Sequence, residues 1–116
     1  MDTQKMYLLD ILKGKWRLVI IEELFKYDLQ FNELKSAIHG ISSKVLADNL
    51  IYLMQHGIVH KKTYPIFPVR TVYTLTDTGR NMKSIINAIY KWSIENYQPF
   101  QEKTNDDFYM IFSTKS

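Results

Sequence analysis

Phe31-Asn32-Glu33-Leu34-Lys35-Ser36-Ala37-Ile38-His39-Gly40-Ile41-Ser42-Ser43-Lys44-Val45-Leu46 is the stretch on which the fold turns. Phe31, Leu34 and Ile38 recur at spacings of three and four, the period of a short amphipathic helix. His39-Gly40 ends it, because glycine accepts the left-handed backbone that closes a helix. Ser42 then offers a hydroxyl to an unpaired N–H of the next helix, which predicts a second start within a few residues. That helix spans about Ser43 to His56, with Gly57 closing it. Leu46, Leu50 and Leu53 form its buried stripe. At about 100° per residue, Lys44, Asp48, Ile51 and Gln55 fall on the opposite face.

Upstream, Leu8, Leu9, Ile11, Leu12, Trp16, Val19, Ile20 and Leu24 keep a helical period over about Met6 to Lys26. Gly14 interrupts it. A glycine inside a helix costs about 1 kcal/mol against alanine, so it marks either a break between two helices or a close packing point. Downstream the period changes. Ile58 to Tyr64 and Arg70 to Leu75 are rich in β-branched and aromatic residues, and Pro65-Ile66-Phe67-Pro68 separates them. They predict a β-hairpin. Thr76 caps a closing helix that runs past Gly79 through Met82, Ile85, Ile86, Ile89 and Trp92 to about Tyr97, where Pro99 stops it. Phe108 to Phe112 is apolar and open to three readings: a short strand, a docked tail or a loose end.

Composition narrows the chemistry. The 116 residues are 46% hydrophobic and 23% charged, enough for a packed core and close to ordinary globular usage. The absence of cysteine excludes disulfides, thiolate metal sites and thiol chemistry. The Leu18-Val19-Ile20-Ile21 run is far too short to span a bilayer, and Met1 to Lys5 leads into no signal-peptide core, so a cytoplasmic protein without membrane attachment is expected. His39, His56 and His60 are joined by no carboxylate cluster, and the Gly57 break spoils the spacing of the latter two; no metal and no cofactor are expected. No serine, histidine and acid combine as a nucleophilic triad, and no glycine-rich phosphate loop occurs, so an enzyme is not expected. The net charge of +3 permits, but does not demand, a phosphate-facing surface.

Short helix, glycine-bearing turn, second helix and hairpin form the order of a winged helix-turn-helix, a mainly α fold with a small β-hairpin (α+β). One helix fits a major groove about 12 Å wide, its N-terminal N–H groups can face phosphates, and the hairpin reaches alongside. In this order the chain resembles the HxlR-type regulators. Gly14-Lys15-Trp16 matches a Gly-Lys-Trp motif, and Phe31-Asn32-Glu33-Leu34 a Phe-x-Glu-Leu segment. Gly40-Ile41-Ser42-Ser43-Lys44-Val45-Leu46 matches Gly-Ile-Ser-x-Lys-x-Leu. Leu53 to Val59 matches Leu-x-x-x-Gly-hydrophobic-Val. Tyr64, Pro68, Arg70, Tyr73, Leu75 and Thr76 match the wing, and Gly79 and Trp92 the closing helix. The resemblance covers about Tyr7 to Tyr97.

The resemblance implies a bacterial, cytoplasmic transcription regulator. Its homodimer would be held by the first and last helices and would bind double-stranded DNA at a near-palindromic operator. It places the DNA-binding domain at residues 1–97, followed by a tail of unassigned role at 98–116. A small-molecule effector, unidentified, would sit between the closing helix and the first helices. DNA contacts are expected from Ser42, Ser43, Lys44, Ala47, Asp48, Asn49, Lys62 and Arg70. Ser42 serves first as the cap. Lys44 meets a phosphate or a guanine edge, or is simply solvated. Asp48 and Asn49 have the chemistry to read cytosine N4 and adenine N6/N7. Arg70 probes a minor groove or makes a cross-strand ion pair. Lys61 and Lys62 point to opposite faces, so one at most meets phosphate. Trp16 and Trp92 lie on apolar stripes and are read as core or dimer packing.

The chain departs from the family at several points. Asn49 stands where a basic residue is usual, Ala47 where threonine is, Val69 where a second proline is and Val72 where glutamate is, and the common N-terminal cysteine is missing. The usual phosphate contacts are therefore not carried over wholesale. The alternative is a winged-helix module that binds protein through the same faces.

Overall fold

The computed structural model describes residues 3–99. The elements run α1 (Thr3–Lys13), α2 (Lys15–Lys26), α3 (Phe31–Ala37), α4 (Ser43–Gln55), β1 (Val59–Tyr64), β2 (Arg70–Leu75), α5 (Asp77–Arg80) and α6 (Met82–Asn96). The chain divides into two units, one up to Lys83 and one from Ser84 onward.

In the first unit the core is built from the predicted stripes. Leu46, Leu50 and Leu53 of α4 are buried against a set that includes Ile20, Ile21 and Leu24 of α2 and Leu34 of α3, each at most 1% exposed. Lys44, Asp48, Ile51 and Gln55 are exposed, as the helical projection requires.

Gly14 separates α1 from α2 with an extended backbone (φ −80, ψ 131). It is also the close packing point. A Cβ there would lie 2.8 Å from Nε of Arg17. The Arg17 guanidinium lies 3.5 Å from the centre of the Tyr52 ring and donates to the Asp10 carbonyl, so one side chain ties α1 and α4 to α2. The Tyr52 ring in turn stacks on His56 at 4.0 Å.

The caps act where the sequence places them. Ser42 Oγ accepts from the Val45 N–H at 3.1 Å, and Thr76 Oγ1 accepts from the Gly79 N–H at 3.1 Å. Gly40 and Gly57 take positive φ, 84° and 70°. Ser42→Ala is expected to cost about 0.5–2 kcal/mol, read as a lower midpoint in urea unfolding.

β1 and β2 pair antiparallel from Val59↔Leu75 to Tyr64↔Arg70. A further bridge joins Leu29 to Tyr73, with Tyr73 N–H donating to the Leu29 carbonyl at 2.7 Å and Leu29 N–H returning at 3.2 Å. The loop between α2 and α3 thus adds a one-residue edge to the sheet. The closing helix corrects the sequence reading: it is not continuous. α5 ends at Arg80, Asn81 turns with φ −64 and ψ −16 while its N–H bonds the Asp77 carbonyl, and α6 starts anew at Met82.

In the second unit, α6 presents Ile85, Ala88, Ile89 and Trp92 around an open apolar groove of about 440 Å³. Trp92 is 68% exposed, so among the described residues it is not core. The Phe108–Phe112 segment lies outside the described residues. Among the described residues no helix is long and apolar enough to cross a membrane.

Candidate nucleic-acid interface

α3, the Gly40 turn and α4 put one helix on the surface with its first turn exposed, and the hairpin follows at once. The root of the hairpin is locked to the end of α4. Ile58 N–H donates to the Leu53 carbonyl at 2.9 Å, and Thr76 N–H donates to the Ile58 carbonyl at 3.0 Å. Thr76 Oγ1 also donates to the Gly57 carbonyl at 2.6 Å. Gly79 packs so closely that a Cβ would meet the Ile58 carbonyl oxygen at 2.4 Å. The end of α4 and the root of the wing are therefore joined by hydrogen bonds and close contact.

The candidate side chains divide into three groups. Ser42, Ser43, Lys44 and Asp48 are exposed at the start and on the outer face of α4. Ser42 spends a lone pair on the cap yet keeps its hydroxyl proton for an acceptor. Ser43 is exposed beside it. Lys44 and Asp48 are not independent: Nζ and Oδ2 are 2.8 Å apart, one turn along the helix, with both side chains more than half exposed. The hydrogen bond that Lys44 donates to Asp48, then the Asp48 charge, raise the Lys44 ammonium above its ordinary pKa, so the lysine stays cationic while the pair holds.

Ala47 and Asn49 form the second group, half-buried on the flank. Asn49 Nδ2 donates to the Val45 carbonyl at 2.7 Å, one turn back. Its amide is turned onto its own helix rather than toward the outer face, as a flanking position favours.

The wing is the third group. Lys62 is exposed opposite Val72, on the other face from Lys61, whose ammonium lies 5.7 Å from the centre of the Tyr73 ring. Arg70 has an ion-pair partner, though not a cross-strand one. Its Nη2 lies 3.4 Å from Glu33 Oε1 on α3, 37 positions away. The same Oε1 accepts the Gln30 N–H at 2.7 Å and so caps α3.

Glu33 is the residue that sequence reasoning missed. It joins the start of the motif to the base of the wing. The Gln30-x-x-Glu33 spacing, a capping signal, was the visible half of its role.

Among the described residues no group of three histidines or carboxylates is placed to hold a metal.

Comparison with known proteins agrees with this layout. The HxlR-like helix-turn-helix family matches residues 11–101. An HTH-type transcriptional regulator of Synechocystis is 35% identical over 73% of this chain, and the match spans 63% of that relative. YvaP of Bacillus subtilis, also named an HTH-type transcriptional regulator, is 34% identical over 78% of this chain and 83% of its own length. Among solved structures, the reduced form of the transcriptional regulator YodB from B. subtilis superposes with a TM-score of 0.80 at 29% identity, covering 85% of this chain and 97% of that one. On the match over most of its length, together with these relatives, the chain belongs to the HxlR-like helix-turn-helix family, whose relatives are transcription regulators.

Proposed function

We propose that the protein is a sequence-specific regulator that binds a near-palindromic operator as a homodimer. The observation that carries this reading is the rigid union of an exposed α4 N-terminus with a cationic hairpin through Gly57, Thr76 and Gly79. Such a unit lets α4 enter the major groove while Lys62 and Arg70 meet the flanking backbone. Homodimer formation is supported by apolar side chains left in solvent on the first and last helices, Leu9 of α1 and Ile85, Ile89 and Trp92 of α6. A second copy covers such faces at little cost, because burying apolar area is favourable.

The relative YodB has been solved in a reduced form and after treatment with diamide. These 116 residues contain no cysteine, so any signal reaching this chain acts on it without thiol oxidation.

Exposed Ile51, 48% accessible beside Asp48, is the observation that favours a protein-binding face instead.

Selection from a random duplex pool, repeated at two salt concentrations, separates the readings. The expected result is an enriched near-palindrome whose binding weakens as salt rises. Lys44→Ala and Arg70→Ala should each weaken binding by about tenfold and flatten the salt dependence by about one counterion. Absence of enrichment at low salt would sink the regulator reading.

A further inference from the structure

The distal hairpin is chemically unlike the rest of the surface. Every residue from 60 to 70 is exposed, yet the tip is apolar. Phe67 is 99% exposed, Ile66 70% and Val69 67%. Nothing in this unit covers them, and their hydration opposes the exposed state. Below the tip the shaft is cationic. Residues 59–76 hold Lys61, Lys62 and Arg70 and contribute no carboxylate of their own, although Arg70 pairs with Glu33 of α3 at 3.4 Å. Pro65 and Pro68 supply no backbone N–H, so the tip is poor in donors for reading base edges. A cationic stem with a donor-poor aromatic apex suits a polyanion whose interior is a stack of flat apolar rings.

We propose that Phe67 is a minor-groove wedge: the wing tip inserts its ring between two base pairs of the operator and bends the duplex. This rests on the DNA-binding reading above. Six-residue strands carry the apex about 20 Å from the wing root, far enough to reach the groove beside the one that α4 occupies. A minor groove about 6 Å wide admits the narrow end of a hairpin. Apolar side chains inserted there partly unstack a base step and kink the helix toward the major groove. The stem cations meet phosphates brought closer by that bend. Because α4 and the wing root are locked together, α4 fixes which step receives the ring. Pyrimidine–purine steps unstack most easily, so the wedge selects a TA or CA/TG step at a set distance from the α4 contacts.

The test uses the full chain and a duplex of about 30 base pairs selected from the random pool, with donor and acceptor dyes at its ends. A second copy of the duplex carries 2-aminopurine at the candidate step. Wild-type protein should bend the duplex by about 20–90° and raise the 2-aminopurine fluorescence as the step unstacks. Phe67→Ala, a change at a solvated position that leaves the core untouched, should reduce the bend to below about 20° and abolish the fluorescence rise. Its affinity for that site should drop about tenfold, with no change on a scrambled duplex. Phe67→Leu should keep most of the bend. Wild-type protein bound to a straight duplex overturns the wedge and leaves the α4 reading standing. So does a Phe67→Ala complex as bent as wild type, which reassigns the tip to a protein partner. Failure of wild-type protein to select any duplex removes the DNA-binding reading itself, and the wedge with it.

Discussion

Gly79→Ala is expected to destabilise the first unit more than any other single-methyl change in the described chain. The added Cβ would sit 2.4 Å from the Ile58 carbonyl oxygen and 3.1 Å from Leu75 Cδ2. A side-chain neighbour can rotate away, but a carbonyl held by the Thr76 N–H at 3.0 Å cannot. Relief requires α5 to lift off the β1 root, which breaks the Thr76 cap and loosens the wing. Overpacking of this kind costs about 1–3 kcal/mol, and the backbone collision puts it at the upper end or beyond. The measurement is urea unfolding followed by circular dichroism. A midpoint within error of wild type would show that α5 shifts freely and that helix and wing are not rigidly joined. Glycine is needed here for close approach alone, since only Gly40 and Gly57 have positive φ.

Asp48→Ala is expected to strengthen binding to arbitrary duplexes by about tenfold at low salt. The carboxylate does two things at the outer face of α4. On the DNA-binding reading it would repel phosphates, and it holds the Lys44 ammonium at 2.8 Å. Both partners are largely solvated, so the pair opens readily and the lysine is available to DNA only when it does. Removing Asp48 leaves Lys44 free and takes away one like charge. The salt dependence should steepen by about one counterion, the opposite of the change expected for Lys44→Ala. Specificity should fall as affinity rises, since the added term is blind to sequence. Titrations of the selected operator and of a scrambled duplex at several salt concentrations measure both effects. Unchanged affinity on the scrambled duplex would place Asp48 away from the backbone.

Much of this site was legible in the sequence because its logic is local. Ser42 and Val45, or Thr76 and Gly79, lie three positions apart, and a cap depends on little else. The outer face of α4 follows from angular projection, and Lys44 and Asp48 meet because residues four apart on a helix are neighbours. The same projection puts Asn49 on the flank, and its bond to Val45 is again one turn long.

The closing helix was legible in type but not in continuity. Apolar positions from Met82 onward keep a helical period, and nothing in that period marks the turn at Asn81. Trp92 and its neighbours show the same limit. Their spacing identifies an apolar face, yet the period does not say whether the face is buried by this chain or left open, as it is on α6.

By itself, then, the sequence determined the order of the elements, their caps, the buried stripe of α4 and the polar face opposite it. Each of these is decided within one or two turns of chain, where period and capping act. Tertiary structure alone decided the Leu29–Tyr73 bridge, the Arg70–Glu33 pair, the seat of Gly79 on Ile58 and the bare apolar tip of the wing. These join, or fail to join, positions up to 44 apart in the bridge and 37 in the ion pair, with 21 for the glycine seat. Such meetings are set by how packed elements come to rest against one another, which no local pattern encodes.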